Sequence, residues 1–250
     1  MKKIYFASDA HLGNRYAADP MADEKRLVRW MDRIAPDAAA IYFLGDMFDY
    51  WYEYRYVVPR GHVRFLGKLA ELHDAGVEIH LFIGNHDIWM FDYLPAEVGA
   101  VIHRGPLSVE LLGRHFFLAH GDEVGYQPRK YRFIQRIFRN RPCQVLYASI
   151  HPRWTFGFAR GWSLSSRRKG LAETRRAAAQ ERNTRSLDAF ARTYLQSHPE
   201  TDFFLFGHLH LMLDRQLTPH TRMIVLGDWM QYFSYAVWDG LELRLLQDEG

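Results

Sequence analysis

Six short apolar runs punctuate the chain: KKIYFAS (2–8), AAIYFLG (39–45), VEIHLFIG (77–84), RHFFLAHG (114–121), TDFFLFGH (201–208) and TRMIVLGD (221–228), each closing on Gly, Ser or a polar residue. Runs of this length read as strands buried on both faces. Between the first three lie ADEKRLVRWMDRIA (22–35) and GHVRFLGKLAELHDAG (61–76), whose apolar residues recur at helical spacing with polar residues opposite, as in helices that cover a sheet. The alternation restricts the chain to an α/β fold built on mixed sheets. FSYAVWDGLELRLLQ (233–247) alternates around Asp239-Gly240 and is expected to add a hairpin. At 250 residues and 48% apolar content the chain can bury one large core, and it shows no repeat, low-complexity stretch or Pro/Gly-rich linker. It is therefore read as a single domain, 1–250.

The lone Cys143 cannot form an internal disulfide. The opening MKKIYFASD offers only four apolar residues before Ser8 and Asp9, too few for a signal-peptide core. A cytoplasmic protein is expected, and with no run near the roughly 18 apolar residues of a transmembrane helix, any membrane role is peripheral. The net charge of +3 is unevenly placed. Residues 124–172 hold 11 Lys or Arg, nine aromatics and no Asp or Glu, which leaves the remainder net negative. Tyr131, Ile134, Phe138 and Val145 fall at near-helical spacing within this span, so it is expected to be a mostly helical insertion or cap. Its composition suits an anionic lipid surface or an acyl-chain pocket ringed by phosphate-binding Arg, and a nucleic-acid surface would look similar.

Polar clusters stand at the ends of the strands. Asp9-Ala10-His11 follows the first, Gly45-Asp46 the second, Gly84-Asn85-His86-Asp87 the third, His120-Gly121-Asp122 the fourth and Gly207-His208-Leu209-His210 the fifth. The carboxyl edge of an open α/β sheet is where loops converge on one crevice. A set of Asp, His and Asn without thiolate suits Mn²⁺, Fe, Zn²⁺ or Mg²⁺, and a carboxylate placed to bridge suits two ions about 3.5–4 Å apart. The other eight histidines, at 62, 73, 80, 103, 115, 151, 198 and 220, belong to no such cluster.

The five clusters, in order D-x-H, G-D, G-N-H-[DE], H and G-H-x-H, resemble the pattern of the calcineurin-like metallophosphoesterases. The resemblance implies a four-layer α/β/β/α sandwich of two mixed sheets flanked by helices. It implies two divalent ions, Mn²⁺ foremost: Asp9, His11 and His210 on one, Asn85, His120 and His208 on the other, and Asp46 bridging. A water bridging the ions would be acidified towards a nucleophilic hydroxide. His86, outside both ligand sets, is implied to protonate the leaving oxygen or stabilise its charge. Asp49, Asp87 and Asp122 are read as acceptors behind the ligands, holding imidazoles or waters in place.

LGDMFDYW (44–51) and the Gly-x-Trp in VLGDWMQYFSYAV narrow the resemblance to the UDP-2,3-diacylglucosamine hydrolases of lipid A biosynthesis. That group cleaves the pyrophosphate of an acylated UDP-sugar to UMP and the sugar 1-phosphate. Its best-known members carry Arg at the position of His86, and residues 53–62 and the basic span align with them poorly, so a divergent branch is expected. The resemblance implies a lipid substrate and a place on the cytoplasmic face of the inner membrane, without an obligatory protein partner. Arg129, Lys130, Arg132, Arg136 and Arg139 are expected to contact lipid. Arg153, Arg160, Arg167 and Arg168 could face substrate or membrane. The alternatives are another metallophosphoesterase, such as a nuclease or nucleotide phosphodiesterase, or a catalytically silent scaffold; the intact ligand set argues against the scaffold.

Overall fold

Two mixed sheets organise the computed structural model, which describes residues 2–14, 19–125, 127–155, 157 and 173–250. The first has the order β11-β10-β1-β2-β3-β4 and the second β5-β6-β7-β9-β8. β1 (Lys3–Ala7), β2 (Ala38–Phe43), β3 (Glu78–Phe82) and β4 (Val101–His103) run parallel, with β10 (Ser234–Trp238) antiparallel to β1. In the second sheet β6 (Arg114–Ala119), β7 (Phe203–Phe206) and β9 (Thr221–Leu226) are parallel, flanked by antiparallel β5 (Leu107–Leu111) and β8 (Met212–Thr218). β11 (Leu243–Gln247) closes the expected hairpin, with Trp238 opposite Leu243.

Strand alternation decides which core each side chain enters. Ile4 and Phe6 of β1 and Phe116 and Leu118 of β6 join Leu205, Ile224 and Trp238 between the two sheets. Their neighbours face outward: Tyr5 and Ala7 pack with the helices on the first sheet, and Phe117 and Ala119 with those on the second. α1 (Pro20–Ile34) presents Leu27, Trp30, Met31 and Ile34 to the first sheet, beside α2 (Val63–Asp74) and α3 (Tyr93–Val98). The long α6 (Glu173–Leu195) covers the second through Leu187 and Ala191. Two mixed sheets flanked by helices is the architecture the sequence implied. The strands it did not single out, β4, β5 and β8, all lie at sheet edges and are partly exposed, so none forms a continuous apolar run.

Within the basic span, α4 (Arg129–Arg139) and α5 (Arg141–Ala148) are helical as expected. Neither has a fully buried residue. They rest on the loops after β2 and β3, where Trp89 meets the rings of Phe138 and Tyr147, each at 5.4 Å. Tyr52 Oη donates to the Gln144 carbonyl (2.7 Å) and Trp89 Nε1 to that of Phe138 (3.1 Å). Arg160, Arg167 and Arg168 lie outside the described residues.

The start of α1 is set locally. Asp19 accepts from the N–H groups of Met21 (3.0 Å) and Ala22 (3.1 Å), and Pro20 occupies the first turn. Asp19→Ala is expected to cost about 1 kcal/mol of stability, read as a lower urea midpoint at unchanged slope.

Candidate metal centre

Parallel strands bring the candidate ligands to one edge. Asp9 and His11 follow β1, Asp46 follows β2, Asn85 follows β3, His120 follows β6, and His208 and His210 follow β7. Backbone bonds continue the pairing beyond the strands: Asp9 N–H donates to the Gly45 carbonyl (3.0 Å), His11 N–H to Asp46 (2.9 Å) and Gly207 N–H to His120 (2.9 Å). The chain then bends hard. Asp9, His11, Asp46, His208 and His210 have φ of 56°, 43°, 53°, 65° and 49°, five of the eight non-glycine residues in the left-handed region among the described residues. Such conformations cost on the order of 1–3 kcal/mol each and persist only where surroundings over-determine them.

Those surroundings are identifiable. The buried Asp87 carboxylate accepts from the N–H groups of Gly84 (2.8 Å), Asp46 (3.2 Å), Met47 (2.8 Å) and Phe48 (3.2 Å), clamping the turn after β2 to the turn after β3. Gly84 lets the two turns approach: a Cβ there would stand 2.6 Å from Asp46 N. Asp9 Oδ2 accepts from Ser8 Oγ (2.5 Å) and from His208 N–H (2.8 Å), and Asp46 Oδ1 accepts from His86 N–H (2.8 Å).

The remaining atoms face inward. Asp9 Oδ1 lies 3.8 Å from His11 Nε2 and 3.7 Å from His210 Nε2. Asp46 Oδ2 lies 3.7 Å from His11 Nε2 and 3.4 Å from His120 Nε2, between the two groups. Asp9-His11-His210 and Asp46-His120-His208 each gather their ligand atoms within 4.8 Å, as does His11-Asp46-His86. Asp9 Oδ1, His11 Nε2, Asn85 Oδ1 and His120 Nε2 are buried and make no hydrogen bond. A buried polar atom left so costs about 1–3 kcal/mol. Four converging from three loops fit divalent cations, and the donor chemistry of carboxylate, imidazole and amide oxygen agrees.

The electrostatics point the same way. Burial opposes charge on the imidazoles, yet Asp49, Asp9 and Asp46 raise the His11 pKa to about 10, and Asp46 raises that of His120 well above its usual value. Burial likewise opposes charge on the carboxylates, but His210 and His11 bring Asp9 down to about 2, and His120 and His86 hold Asp46 well below the ordinary range. Burial, reinforced by His120, pushes His208 down to about 4, a neutral ring with a free lone pair. Two buried carboxylates thus demand positive charge between them.

Behind the inward atoms, His120 Nδ1 donates to the Leu44 carbonyl (2.7 Å), and His11 Nδ1 lies 3.6 Å from Asp49 Oδ1. Asp87 and Asp122 meet other partners. Asp87 grips backbone, and Asp122 accepts from Tyr131 Oη (3.1 Å) and Gln135 Nε2 (2.6 Å) of α4. A residue the sequence reading missed stands instead beside His210, whose Nδ1 lies 3.3 Å from Asp228 Oδ2. Its signal was present: Gly227-Asp228 closes the β9 run as Gly45-Asp46 closes that of β2.

A cavity of about 440 Å³ opens from this edge. Asn85, His86 and His208 lie at one end, Tyr50, Trp89, Tyr131, Phe138 and Tyr147 form apolar wall, and Arg182, Asn183 and Ser186 of α6 add polar groups. His86 Nδ1 lies 3.0 Å from the Asp49 carbonyl, and burial lowers its pKa. Arg129, Lys130, Arg132, Arg136, Arg139 and Arg153 are exposed and do not line this cavity.

Candidate ligands at strand ends on the edge of two packed sheets, beside a cavity, fit the site of a metal-dependent hydrolase. The sequence profile of the calcineurin-like phosphoesterases matches residues 2–212, and the chain belongs to that family. It is 54% identical to the UDP-2,3-diacylglucosamine hydrolase of Porphyromonas gingivalis, covering 97% of this chain and 96% of that one. To the protein of the same name from Aeromonas salmonicida it is 26% identical, over 97% and 92% of the two chains. The gap between these identities agrees with the divergent branch expected. Among solved structures, Yfce, a phosphoesterase from E. coli, is similar with a TM-score of 0.47 and 16% identity, over 98% of this chain and 92% of that one.

Asp46→Ala is expected to lower the divalent metal carried by the purified full chain more than Asp9→Ala does, because Asp46 alone stands between both groups. Elemental analysis decides it, and two full equivalents in Asp46→Ala protein would contradict the bridging position.

Proposed function

We propose that this protein hydrolyses the pyrophosphate bond of UDP-2,3-diacylglucosamine, giving UMP and 2,3-diacylglucosamine 1-phosphate, with two divalent ions, Mn²⁺ foremost, at the strand-end centre. The observation that carries the reading is the cavity. It joins candidate ligands Asn85 and His208 to an aromatic wall suited to acyl chains. The near full-length identity to the Porphyromonas protein supports the same substrate.

Asp9, His11 and His210 would hold one ion, Asn85, His120 and His208 the other, with Asp46 shared. Bound there, two ions supply Lewis acidity towards phosphate oxygens and an acidified water. The chain's own residues do the rest. Asp87 fixes the loop carrying Asp46, so the donors need no rearrangement on binding. With Nδ1 donating to the Asp49 carbonyl, the cavity-lining His86 in its protonated form would deliver a proton from Nε2 to the leaving phosphate oxygen or stabilise its charge. Because burial favours the neutral ring, delivery depends on the anionic substrate raising the His86 pKa. The aromatic wall excludes water around the acyl-bearing half.

We further propose that residues 124–172 form a cap which meets an anionic membrane surface. Phe133, Leu146 and Trp154 are 64%, 70% and 71% exposed, and the exposed Arg129, Lys130, Arg132, Arg136 and Arg139 lie with Phe133 on α4. Each basic residue near an anionic surface contributes about 1 kcal/mol, and exposed aromatics add a salt-resistant part. No helix of the described residues is long and apolar enough to cross a membrane.

Incubated with Mn²⁺ and UDP-2,3-diacylglucosamine, the protein is expected to release UMP, and to release little from a UDP-sugar without acyl chains. Equal rates on both, or faster cleavage of single-stranded DNA or a cyclic nucleotide, would overturn the substrate. His86→Ala is expected to slow turnover about 10²–10⁴-fold with metal content unchanged, and a rate within about threefold of wild type removes His86 from the mechanism. The protein should co-sediment with anionic vesicles at low salt and detach progressively as salt rises. Failure to sediment at low salt would end the membrane reading.

A further inference from the structure

His210 is more open to solvent than His11 and His120. Its side chain is 26% exposed, whereas those of His11 and His120 are 1% and 0% exposed. No backbone carbonyl receives its outer nitrogen as Leu44 receives that of His120. Something must still choose which of its nitrogens carries the proton, because an imidazole binds a cation only through the nitrogen that lacks one.

Asp228 is placed to choose. Its Oδ1 accepts from three consecutive N–H groups, those of Met230 (3.2 Å), Gln231 (2.7 Å) and Tyr232 (3.1 Å), which pins the carboxylate without help from His210. The residue is 2% exposed. The same turn also grips the loop after β1, where Trp229 N–H donates to the Asp9 carbonyl (3.1 Å). Oδ2 is left facing His210 Nδ1 at 3.3 Å without a formed hydrogen bond. His210 Nε2 points the other way, 3.7 Å from Asp9 Oδ1.

We propose that Asp228 is a positioning residue which holds the proton of His210 on Nδ1 and so keeps Nε2 free for the ion shared with Asp9 and His11. The inference rests on the reading of Asp9, His11 and His210 as a metal site. Partners of this kind behind a ligating imidazole typically change metal affinity 10–100-fold.

Asp228→Asn isolates the effect. The three N–H groups select the amide oxygen, so the turn keeps its acceptor while an NH₂ donor now faces Nδ1. His210 must then accept there and carry its proton on Nε2, the wrong tautomer for a ligand. Full-length wild type, Asp228→Asn, His210→Ala and the double variant would be titrated with Mn²⁺ by equilibrium dialysis, and their metal-free unfolding midpoints measured. The expected result for Asp228→Asn is one Mn²⁺ bound as in wild type, the other bound 10–100-fold more weakly, and an unchanged midpoint. The double variant should bind no more weakly than His210→Ala, since Asp228 acts only through that ring. Wild-type affinity for both ions in Asp228→Asn overturns the proposal, and so do losses that multiply in the double variant or a metal loss that tracks a lowered midpoint. A wild-type chain that binds fewer than two Mn²⁺ overturns instead the metal reading beneath it.

Discussion

The turn carrying Asp46 is the constraint on which the site depends. Its backbone is left-handed, its carboxylate lies between two groups of imidazoles, and its N–H is held by the buried Asp87. Four N–H groups from two turns end on that one carboxylate, so the loops after β2 and β3 move together. Burial and the Asp46 charge together raise the Asp87 pKa to about 7. Protonation would weaken the clamp by removing the charge that its N–H donors favour. The folded carboxyl titrates above its unfolded range, so this group's ionised form costs stability as pH rises. The ionised form therefore costs desolvation free energy, offset in part by the N–H donors that fix the geometry of Asp46.

Fold and chemistry are coupled through the two parallel edges. β1-β2-β3 and β6-β7 direct their carboxyl ends to one rim because a core of Phe6, Phe116, Leu205 and Ile224 locks the sheets face to face. A slip of one residue in β1 would send Ile4 and Phe6 to the helix side and Asp9 away from the rim. The cavity depends in turn on the loops after β2 and β3, whose Tyr50, Tyr52 and Trp89 carry α4 and α5. The metal centre and the apolar wall are therefore positioned by the same two loops.

What the sequence revealed followed from burial. β1, β2, β3, β6, β7 and β9 send side chains into a core on each face, so their runs are largely apolar and their polar ends stand out. β4, β5 and β8, at the edges, mix exposed and buried positions and lose that contrast. Asp9, His11, Asp46, Asn85, His120, His208 and His210 could be singled out as candidates because each closes a readable strand. What stands behind them is harder to read. Asp87 and Asp122 were placed near the centre, but that one grips backbone and the other ties down α4 depends on the path of loops, which carries no periodicity. Asp228 obeyed the strand-end rule and was passed over because Gly-Asp without a histidine nearby in sequence gave no reason to stop there.

Anomalous diffraction at the manganese edge from crystals of the full chain grown with Mn²⁺ tests the account most directly. The account predicts two peaks about 3.5–4 Å apart, one beside Asp9, His11 and His210, the other beside Asn85, His120 and His208, with Asp46 touching both. A single peak, or two of which Asp46 touches only one, would contradict it.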